Sequence, residues 1–178
     1  MEGQRTLHDF AAKVQPELEA TGALGPIPIE WLHMTVQGVG FTDEVSREDL
    51  SAISEAVSRR LVGIGPLSVT LGPLVADAEG VNLPVRFSEA VDAVRRAIRA
   101  GIGDIWGAER VPETADGFRP HVSLAYSHIS GAPLAPIREV LARHAMIIPV
   151  TLTRVTLIDI NRDERVYRWQ VLDAPSLS

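Results

Sequence analysis

The sequence contains no cysteine and only one lysine, Lys13. Without cysteine, neither a disulfide framework nor a thiolate metal site can form, which permits the cytoplasmic location that we expect. The 23 acidic residues outnumber the 17 basic ones and give a formal net charge of −6. Proteins that bind long nucleic acids neutralise many phosphates with Lys and Arg. The charge therefore argues against such a polymer, and an RNA substrate would be a terminus or a short piece.

Several familiar signals are missing as well. No apolar run approaches the roughly 20 residues that a membrane-spanning helix needs, and the opening Met-Glu-Gly-Gln-Arg-Thr lacks the apolar core of a signal peptide. The phosphate-binding pattern Gly-x-x-x-x-Gly-Lys, the nucleophile elbow Gly-x-Ser-x-Gly and the zinc-binding pattern His-Glu-x-x-His are also absent. We therefore expect a soluble protein that needs no membrane and uses none of these three sites.

Polar side chains interrupt an otherwise apolar stretch at residues 118–127, Phe-Arg-Pro-His-Val-Ser-Leu-Ala-Tyr-Ser. With the two-residue period of a β-strand, Arg119, His121 and Ser123 share one face. The opposite face is formed by Pro120, Val122, Leu124 and Tyr126. The pattern predicts a strand with one face in the core and the other in a functional site.

The same pattern occurs earlier, in Trp-Leu-His-Met-Thr-Val-Gln at residues 31–37. One predicted face carries Trp31, His33, Thr35 and Gln37, and the other is formed by Leu32, Met34 and Val36. A histidine beside a hydroxyl can also be a satisfied polar pair in a core. Because the pattern is found in both halves of the chain, on two matching strands, we favour a functional pair.

Apolar spacing and turn residues predict four helices and six strands. The helices are placed at residues 7–20, 46–61, 88–106 and 133–144. The strands are placed at residues 30–40, 66–75, 81–87, 118–127, 147–160 and 165–172, with polar turns at 76–80 and 161–164. Pro16 is expected to kink the first helix or to start a second, and Pro84 to place its strand at a sheet edge. Residues 107–117 are interpreted as a connection between lobes rather than a mobile flap.

The order of predicted elements is repeated: a motif strand, a helix, a strand, a polar turn and a strand. His33 and His121 are 88 residues apart, and the similar tripeptides that begin at Val69 and Val155 are 86 apart. We therefore predict a duplicated, pseudo-twofold design in a single domain of residues 1–178, with interleaved halves at about 7–87 and 88–172. The expected protein is a monomer.

Paired His-x-[Thr/Ser]-x-hydrophobic motifs resemble those of the two-histidine (2H) phosphoesterase superfamily, in particular its 2′-5′ RNA ligase or LigT-like branch. The resemblance covers about Leu7 to Leu172. It implies a bilobal α+β fold, with pseudo-twofold duplicated lobes and antiparallel sheets flanking a central cleft that both histidines face. It also implies metal-free chemistry on a 2′,3′-cyclic phosphate or a 2′-5′ phosphodiester. That family normally has a strand before its first helix, whereas only six mostly polar residues precede Leu7.

The two motifs contain the groups that such a reaction needs. Opening a cyclic phosphodiester with water requires a base for the nucleophile and an acid for the departing ribose oxygen, and histidine can fill either role near neutral pH. Thr35 and Ser123, each two residues after a histidine, would hydrogen-bond the non-bridging phosphate oxygens. The sequence does not decide which of His33 and His121 is the acid.

Three further residues are candidate substrate contacts. Arg119 shares a face with His121 and could reach a phosphate, although strand-end arginines are usually solvated. Trp31 and Gln37 could contact a base or ribose, although a tryptophan at this place is more often packing. No carboxylate shares a face with the histidines, so we predict neither a metal site nor a cofactor.

We therefore predict an enzyme that hydrolyses 2′,3′-cyclic phosphates of RNA ends or nucleotides, with 2′-5′ RNA ligation as a possible second activity. One alternative is a phosphodiesterase for another small nucleotide, such as an ADP-ribose cyclic phosphate or a 2′-5′ oligonucleotide. Another is a non-catalytic module that binds RNA ends. Binding alone does not require two proton-transfer groups, and this argues against the module.

Overall fold

The computed structural model describes residues 1, 3–129, 133–161 and 168–177. Within these ranges the helices are α1 Arg5–Glu19, α2 Arg47–Leu61, α3 Glu89–Trp106 and α4 Leu134–Arg143. The strands are β1 Leu24–Pro26, β2 Leu67–Leu71, β3 Val75–Ala76, β4 Gly80–Arg86, β5 His121–Ser127, β6 Ile148–Leu152, β7 Leu157–Asn161 and β8 Arg168–Asp173. All of the described strand pairs are antiparallel, so the fold is α+β, as predicted.

Helices form close to the predicted positions because their end signals are local in the chain. The Ser46 hydroxyl caps α2 by accepting a hydrogen bond from the backbone N–H of Asp49 at 3.0 Å. Helix α1 begins at Arg5, earlier than predicted, and Pro16 lies inside it without dividing it. The carbonyl of Pro16 accepts a hydrogen bond from the N–H of Ala20 at 3.0 Å, so the last turn is complete.

The large sheet has the strand order β1-β5-β4-β2-β6, and β3 also pairs with β4. Strand β5, which carries the second motif, therefore lies between β1 and β4. Strand β4 is also interior, so the prediction that Pro84 marks a sheet edge is wrong. Pro84 faces the place where the chain bends between β2 and β3, and its carbonyl accepts a hydrogen bond from Gly72 N–H at 2.8 Å. The strand continues through Pro84 because the ladder does not need an N–H donor from it.

The single strand predicted at residues 147–160 is in fact two. Strand β6 pairs with β2 in the large sheet, whereas β7 pairs with β8 in a separate two-stranded sheet. Alternation along a sequence cannot show where a chain passes from one sheet to another. Most of the turn predicted at 161–164 lies outside the described residues.

The first motif segment, residues 32–40, pairs with no strand of the described chain, so the strand predicted at 30–40 is wrong. Residues Ile29–Trp31 form a 3-10 turn, after which Leu32 adopts extended backbone angles. Hydrogen bonds from neighbouring loops and side chains take the place of a ladder here. The first motif is thus held differently from the second.

The predicted duplication is visible in the element order around β2 and β6. These strands pair with Val69 opposite Val150. Each follows a helix, α2 or α4, and each precedes a pair of antiparallel strands, β3–β4 or β7–β8. The similar tripeptides at Val69 and Val155 are therefore not structural counterparts, because the counterpart of β2 is β6. Strand β4 of the first half pairs with β5 of the second, so the two halves share one sheet.

Apolar side chains collect in two clusters. The larger lies between the sheet and helices α1 and α4, and the smaller lies between α2 and α3. Helices α2 and α3 approach closely at Gly101, where an added Cβ would come within 2.7 Å of the Val57 side chain. In the described part of the chain, no helix is long and apolar enough to cross a membrane.

Candidate active site

Strand β5 presents the second motif as the alternation predicts. Val122 and Leu124 are fully buried, His121 is exposed and Ser123 is half-buried. On the neighbouring strand β4, Pro84 lies opposite His121. Pairing with β4 therefore fixes the backbone of this motif on one side, whereas β1 pairs with β5 only beyond the motif, at residues 125–127.

The first motif keeps the same alternation although it is not in a strand. Leu32 is fully buried and Met34 packs against the larger core cluster, while His33 is half-buried and Thr35 is exposed. Burial of the alternate apolar side chains is therefore enough to turn His33 and Thr35 away from the core. The predicted separation of an apolar face from a polar face is confirmed for the second motif, whereas in the first motif Met34 lines the same cavity as His33 and Thr35.

The two imidazoles are held in the same way. The Nδ1 atom of His33 lies 2.9 Å from the carbonyl oxygen of Trp31, and that of His121 lies 2.9 Å from the carbonyl oxygen of Arg119. A carbonyl only accepts, so Nδ1–H is the donor in both rings. In the neutral form, Nε2 is then the nitrogen that takes up a proton. Each histidine is oriented by the residue two positions before it.

The electrostatic surroundings of the two rings differ. Burial lowers the pKa of His33 below its ordinary value, the hydrogen bond with the Trp31 carbonyl partly offsets this, and the positive charges of the chain N-terminus and His121 lower it further. The charge of His121 therefore reaches His33. The structure brings the two predicted histidines within electrostatic range, with the half-buried ring as the one that resists protonation.

Trp169 on β8 is a neighbour of the site that the sequence did not identify. Its ring packs edge-on against His33 at a centroid distance of 5.0 Å and against Trp31 at 4.7 Å. Trp169 is half-buried and lines a cavity beside His33. The alternation of side chains along β8 could not predict this contact, because β8 and the first motif are far apart in sequence.

Asn82 is a second residue that the sequence analysis missed. It is buried on β4 directly opposite Ser123, and its side-chain amide donates to the carboxylate of Asp77 at 2.8 Å. Residues opposite one another in an antiparallel pair share a sheet face. The sequence feature that could have identified Asn82 is a polar residue inside an otherwise apolar predicted strand.

Two other predicted substrate contacts, Arg119 and Gln37, differ in their surroundings. Arg119 is exposed, and its backbone carbonyl holds His121. The side-chain amide of Gln37 donates to the carbonyls of Gly38 and Pro112 at 2.9 and 2.8 Å, and its oxygen accepts from Arg99 at 2.9 Å. Gln37 is therefore part of the scaffold, and we leave it out of the proposed substrate site.

A third His-x-Ser sequence occurs at residues 128–130, outside the two motif segments. His128 follows the end of β5, and Ser130 lies outside the described residues. His144 is buried at the end of α4 and contacts the carboxylate of Glu17 at 2.7 Å, and His8 contacts the carbonyl of Met1 at 2.8 Å. His8 lines the same cavity as His33, and the terminal ammonium of its partner Met1 donates to the carbonyl of Leu32 at 2.6 Å, whereas the partner of His144 lies on α1.

A cavity of about 890 Å³ adjoins the first motif and is lined mostly by apolar side chains. It borders His33 and Thr35, together with residues of α2, α3, β7 and β8, but among the described residues its lining does not include His121 or Ser123. The cavity thus lies on one side of the histidine pair rather than between its members. No group of three or more His, Asp or Glu side chains suited to a metal ion occurs in the described ranges.

The chain matches a known family and several solved structures. The family model of the 2′-5′ RNA ligase superfamily matches residues 8–164. The structure of TT0787 of Thermus thermophilus is similar with a TM-score of 0.71 and 18% identity, over 97% of this chain and 92% of that one. E. coli LigT complexed with 3′-AMP is similar with a TM-score of 0.64 and 16% identity, over 94% and 92%.

E. coli LigT complexed with ATP gives a TM-score of 0.66 and 17% identity, over 97% of this chain and 92% of that one. No curated protein matches the sequence. At these identities the solved structures show a shared fold, which agrees with the LigT-like α+β architecture predicted from the two motifs.

Proposed function

Since the chain belongs to the 2′-5′ RNA ligase superfamily, we propose that it is a metal-independent 2H phosphoesterase that hydrolyses 2′,3′-cyclic phosphates of RNA ends or nucleotides. The observation that carries the proposal is the matched geometry of His33 and His121. Each ring donates Nδ1–H to a carbonyl two residues earlier at 2.9 Å, so both have the same tautomer and expose the same chemistry at Nε2.

In the proposed reaction one neutral imidazole takes a proton from a water molecule as its oxygen attacks phosphorus. The bond from phosphorus to one ribose oxygen breaks, and the other imidazole, which is protonated, gives its proton to that oxygen. The product is a ribose phosphomonoester, and the two histidines have exchanged protonation states. Burial disfavours the charged form of His33, which favours that ring as the base.

Thr35 and Ser123 are proposed to donate hydrogen bonds to the non-bridging phosphate oxygens. Each lies two residues after its histidine and is not buried in the core. Arg119 and Trp31 are proposed substrate contacts, because one is an exposed cation next to the second motif and the other an aromatic ring beside His33. A hydroxyl from each half around one phosphate would stabilise charge on both sides of it.

The nucleotide class is supported by the ligands of the fold relative LigT, which has been crystallised with 3′-AMP, with ATP and with NADP+. A phosphodiesterase for another small nucleotide is the second candidate for the same reason. If the 5′-hydroxyl of a second RNA replaces water as the nucleophile, its oxygen bonds to phosphorus, the bond to the 3′-oxygen breaks and a 2′-5′ phosphodiester remains, so 2′-5′ RNA ligation belongs to the same proposal. Two proton-transfer groups argue against a module that only binds RNA ends.

The test is a panel of the four nucleoside 2′,3′-cyclic phosphates, short RNAs ending in a cyclic phosphate, an ADP-ribose cyclic phosphate and 2′-5′ oligonucleotides. Mass spectrometry and phosphorus NMR would give the product and the position of its phosphate. We expect hydrolysis of at least one 2′,3′-cyclic phosphate and its loss in His33→Ala and His121→Ala.

The alternatives give different results in the same panel. Turnover restricted to 2′-5′ oligonucleotides or to the ADP-ribose compound would select the second candidate. Binding of cyclic-phosphate RNA without turnover of any substrate would contradict the enzyme and select the binding module.

A further inference from the structure

Arg95 on α3 is a buried cation placed between the two motifs. It is 5% exposed, and burying an unpaired guanidinium would be costly. Its Nε donates to the carbonyl of Val36 at 3.1 Å, and its two terminal nitrogens donate to the carbonyls of Ala115 at 2.8 Å and Thr114 at 2.9 Å. The guanidinium also lies 4.5 Å from the centre of the Phe118 ring. Each of these contacts joins Arg95 either to the first motif segment or to residues 114–118, which precede the second histidine.

Glu113 links the same segments from the other side. Its carboxylate accepts a hydrogen bond from the backbone N–H of Gly38 at 3.1 Å and pairs with Arg95 at 3.4 Å. A Cβ added to Gly38 would lie 2.7 Å from the Glu113 carboxylate, so a larger residue at this position would displace that carboxylate. Glu113 also has a φ of 61°, a left-handed conformation that costs energy in a residue with a side chain. This conformation is retained because it places the carboxylate against Gly38.

The first motif depends on these contacts because it has no strand partner in the described chain. In the second motif, pairing of His121 and Ser123 with β4 fixes the backbone. In the first motif segment, the carbonyl of Val36 and the N–H of Gly38 are instead held by Arg95 and Glu113. Val36 lies three residues after His33, and Phe118 lies three residues before His121. A single side chain therefore spans the two approaches to the histidine pair.

We propose that the Arg95 cluster, consisting of Arg95, Glu113 and Gly38 with the carbonyls of Val36, Thr114 and Ala115, positions the first histidine motif against the second. Arg95 is a positioning residue and does not touch substrate. The inference rests on the proposed function, since it concerns how the two proposed catalytic histidines are brought into line. Misplacement of a reacting group by about 1 Å can cost on the order of 100-fold in rate, so small movements of the segment matter.

The test compares Arg95→Met, which keeps much of the length of the side chain without its donors, with Arg95→Lys, which keeps the charge without the planar fork. The matched control is Arg96→Met, the next residue on α3, which is exposed. Imidazole proton resonances of His33 and His121 are titrated by NMR in each variant, and thermal melting establishes that each is folded. Turnover of the substrate found in the panel is measured alongside.

If the cluster positions the motif, the His33 titration in Arg95→Met moves towards that of an ordinary histidine and stops responding to the titration of His121. In the same variant kcat falls by about 10- to 100-fold with KM nearly unchanged, Arg95→Lys is intermediate and Arg96→Met resembles the unmodified protein. A folded Arg95→Met with unchanged histidine titrations and unchanged kcat overturns the proposal.

Two further variants keep the test decisive if Arg95→Met does not fold. Glu113→Gln retains an acceptor for Gly38 but removes the charge opposite Arg95, and Gly38→Ala displaces the Glu113 carboxylate. Unchanged His33 titrations in both variants overturn the proposal. If the unmodified protein turns over no substrate, the proposed function fails, while the titrations still decide whether the cluster positions His33 relative to His121.

Discussion

At the scale of single residues, burial makes two histidines with similar sequence surroundings unlike each other. His33 is half-buried with the Trp169 ring packed edge-on against it, whereas His121 stands exposed on β5. The same Nδ1 hydrogen bond orients both rings, so the difference lies in solvation rather than in tautomer. A neutral ring and a protonated ring are the starting states that general acid–base catalysis needs.

Removal of Trp169 should change the protonation of His33. In Trp169→Ala the His33 ring gains solvent, the burial that lowers its pKa is relieved, and its pKa rises. If neutral His33 is the base, the acid limb of the kcat/KM profile then moves to higher pH, and NMR titration of the ring should show the same direction. Trp106→Ala, which removes a tryptophan of the smaller core cluster, is the control. An acid limb that stays in place would contradict the role of Trp169.

The two hydroxyls offer a second test at this scale. Thr35→Val and Ser123→Ala should each lose roughly 1 to 4 kcal/mol of transition-state stabilisation, since one hydrogen bond to a charged phosphate oxygen is removed. The measurement is kcat/KM together with thermal melting. Ser127→Ala, on the same strand with its hydroxyl donating to the Ile129 carbonyl, should leave kcat/KM unchanged. Unfolding of either hydroxyl variant would instead assign that hydroxyl to the fold.

The two histidines should also act as one unit. Each of His33→Ala and His121→Ala is expected to remove most of the catalysis, and the double variant should be little worse than the poorer single one. The reason is that both proton transfers belong to one step. Single-turnover rates of the three variants measure this, with binding of a nucleotide 2′-phosphate showing that the site persists. Additive losses in ΔΔG‡ would indicate two independent binding contacts instead.

At the scale of elements, the two motifs are held by different means. Strand β5 has a hydrogen-bonded neighbour on both sides, while the first motif segment relies on Arg95, Glu113 and buried apolar side chains. A sheet tolerates loss of a side chain better than a segment whose backbone is bound by side chains. Substitutions that leave the overall fold intact should therefore disturb the first motif more readily than the second.

The N-cap of α2 allows an element-scale prediction. In Ser46→Ala the N–H of Asp49 loses its acceptor, and the free energy of unfolding should fall by about 1 kcal/mol. Chemical denaturation measures the change. The cap lies outside both motifs, so kcat and KM should remain those of the unmodified protein. A loss of activity larger than the loss of folded protein would mean that α2 transmits its position to the first motif.

At the scale of the whole molecule, the halves are joined through one sheet, with β4 of the first half beside β5 of the second. Helix α1 of the first half is likewise tied to α4 of the second, since Glu17 pairs with Arg143 at 2.8 Å and with His144 at 2.7 Å. The hydrogen bonds from Arg143 and then His144 hold the pKa of the Glu17 carboxyl below its ordinary value. One domain of residues 1–178 and a monomer remain our predictions.

The absence of a metal requirement is a prediction about the whole reaction. Hydrolysis should survive exhaustive EDTA treatment with an unchanged kcat, because two histidines and two hydroxyls supply the acid, the base and the phosphate contacts. The assay compares treated protein with protein supplied with Mg²⁺, Mn²⁺ or Zn²⁺. Loss of turnover that one of these ions restores would contradict the proposed chemistry.

The sequence by itself determined the features that depend on neighbours along the chain. Alternation placed the buried and exposed faces of the second motif correctly, because each apolar side chain turns its polar neighbour outward. Capping and apolar spacing located α2 and α3 nearly to the residue, since these signals act within one or two turns. The paired motifs also indicated the superfamily that the family comparison shows.

Only the tertiary structure decided what depends on residues distant in sequence. Pro84 can lie in an interior strand because the chain bends between β2 and β3, so that no partner needs an N–H donor from Pro84. Residues 147–160 divide between two sheets. The contacts of Trp169 with His33 and of Arg95 with Val36 bring together residues separated by more than fifty positions. Local periodicity of the sequence cannot predict such contacts, because they depend on how β4, β8 and α3 pack around the two motifs.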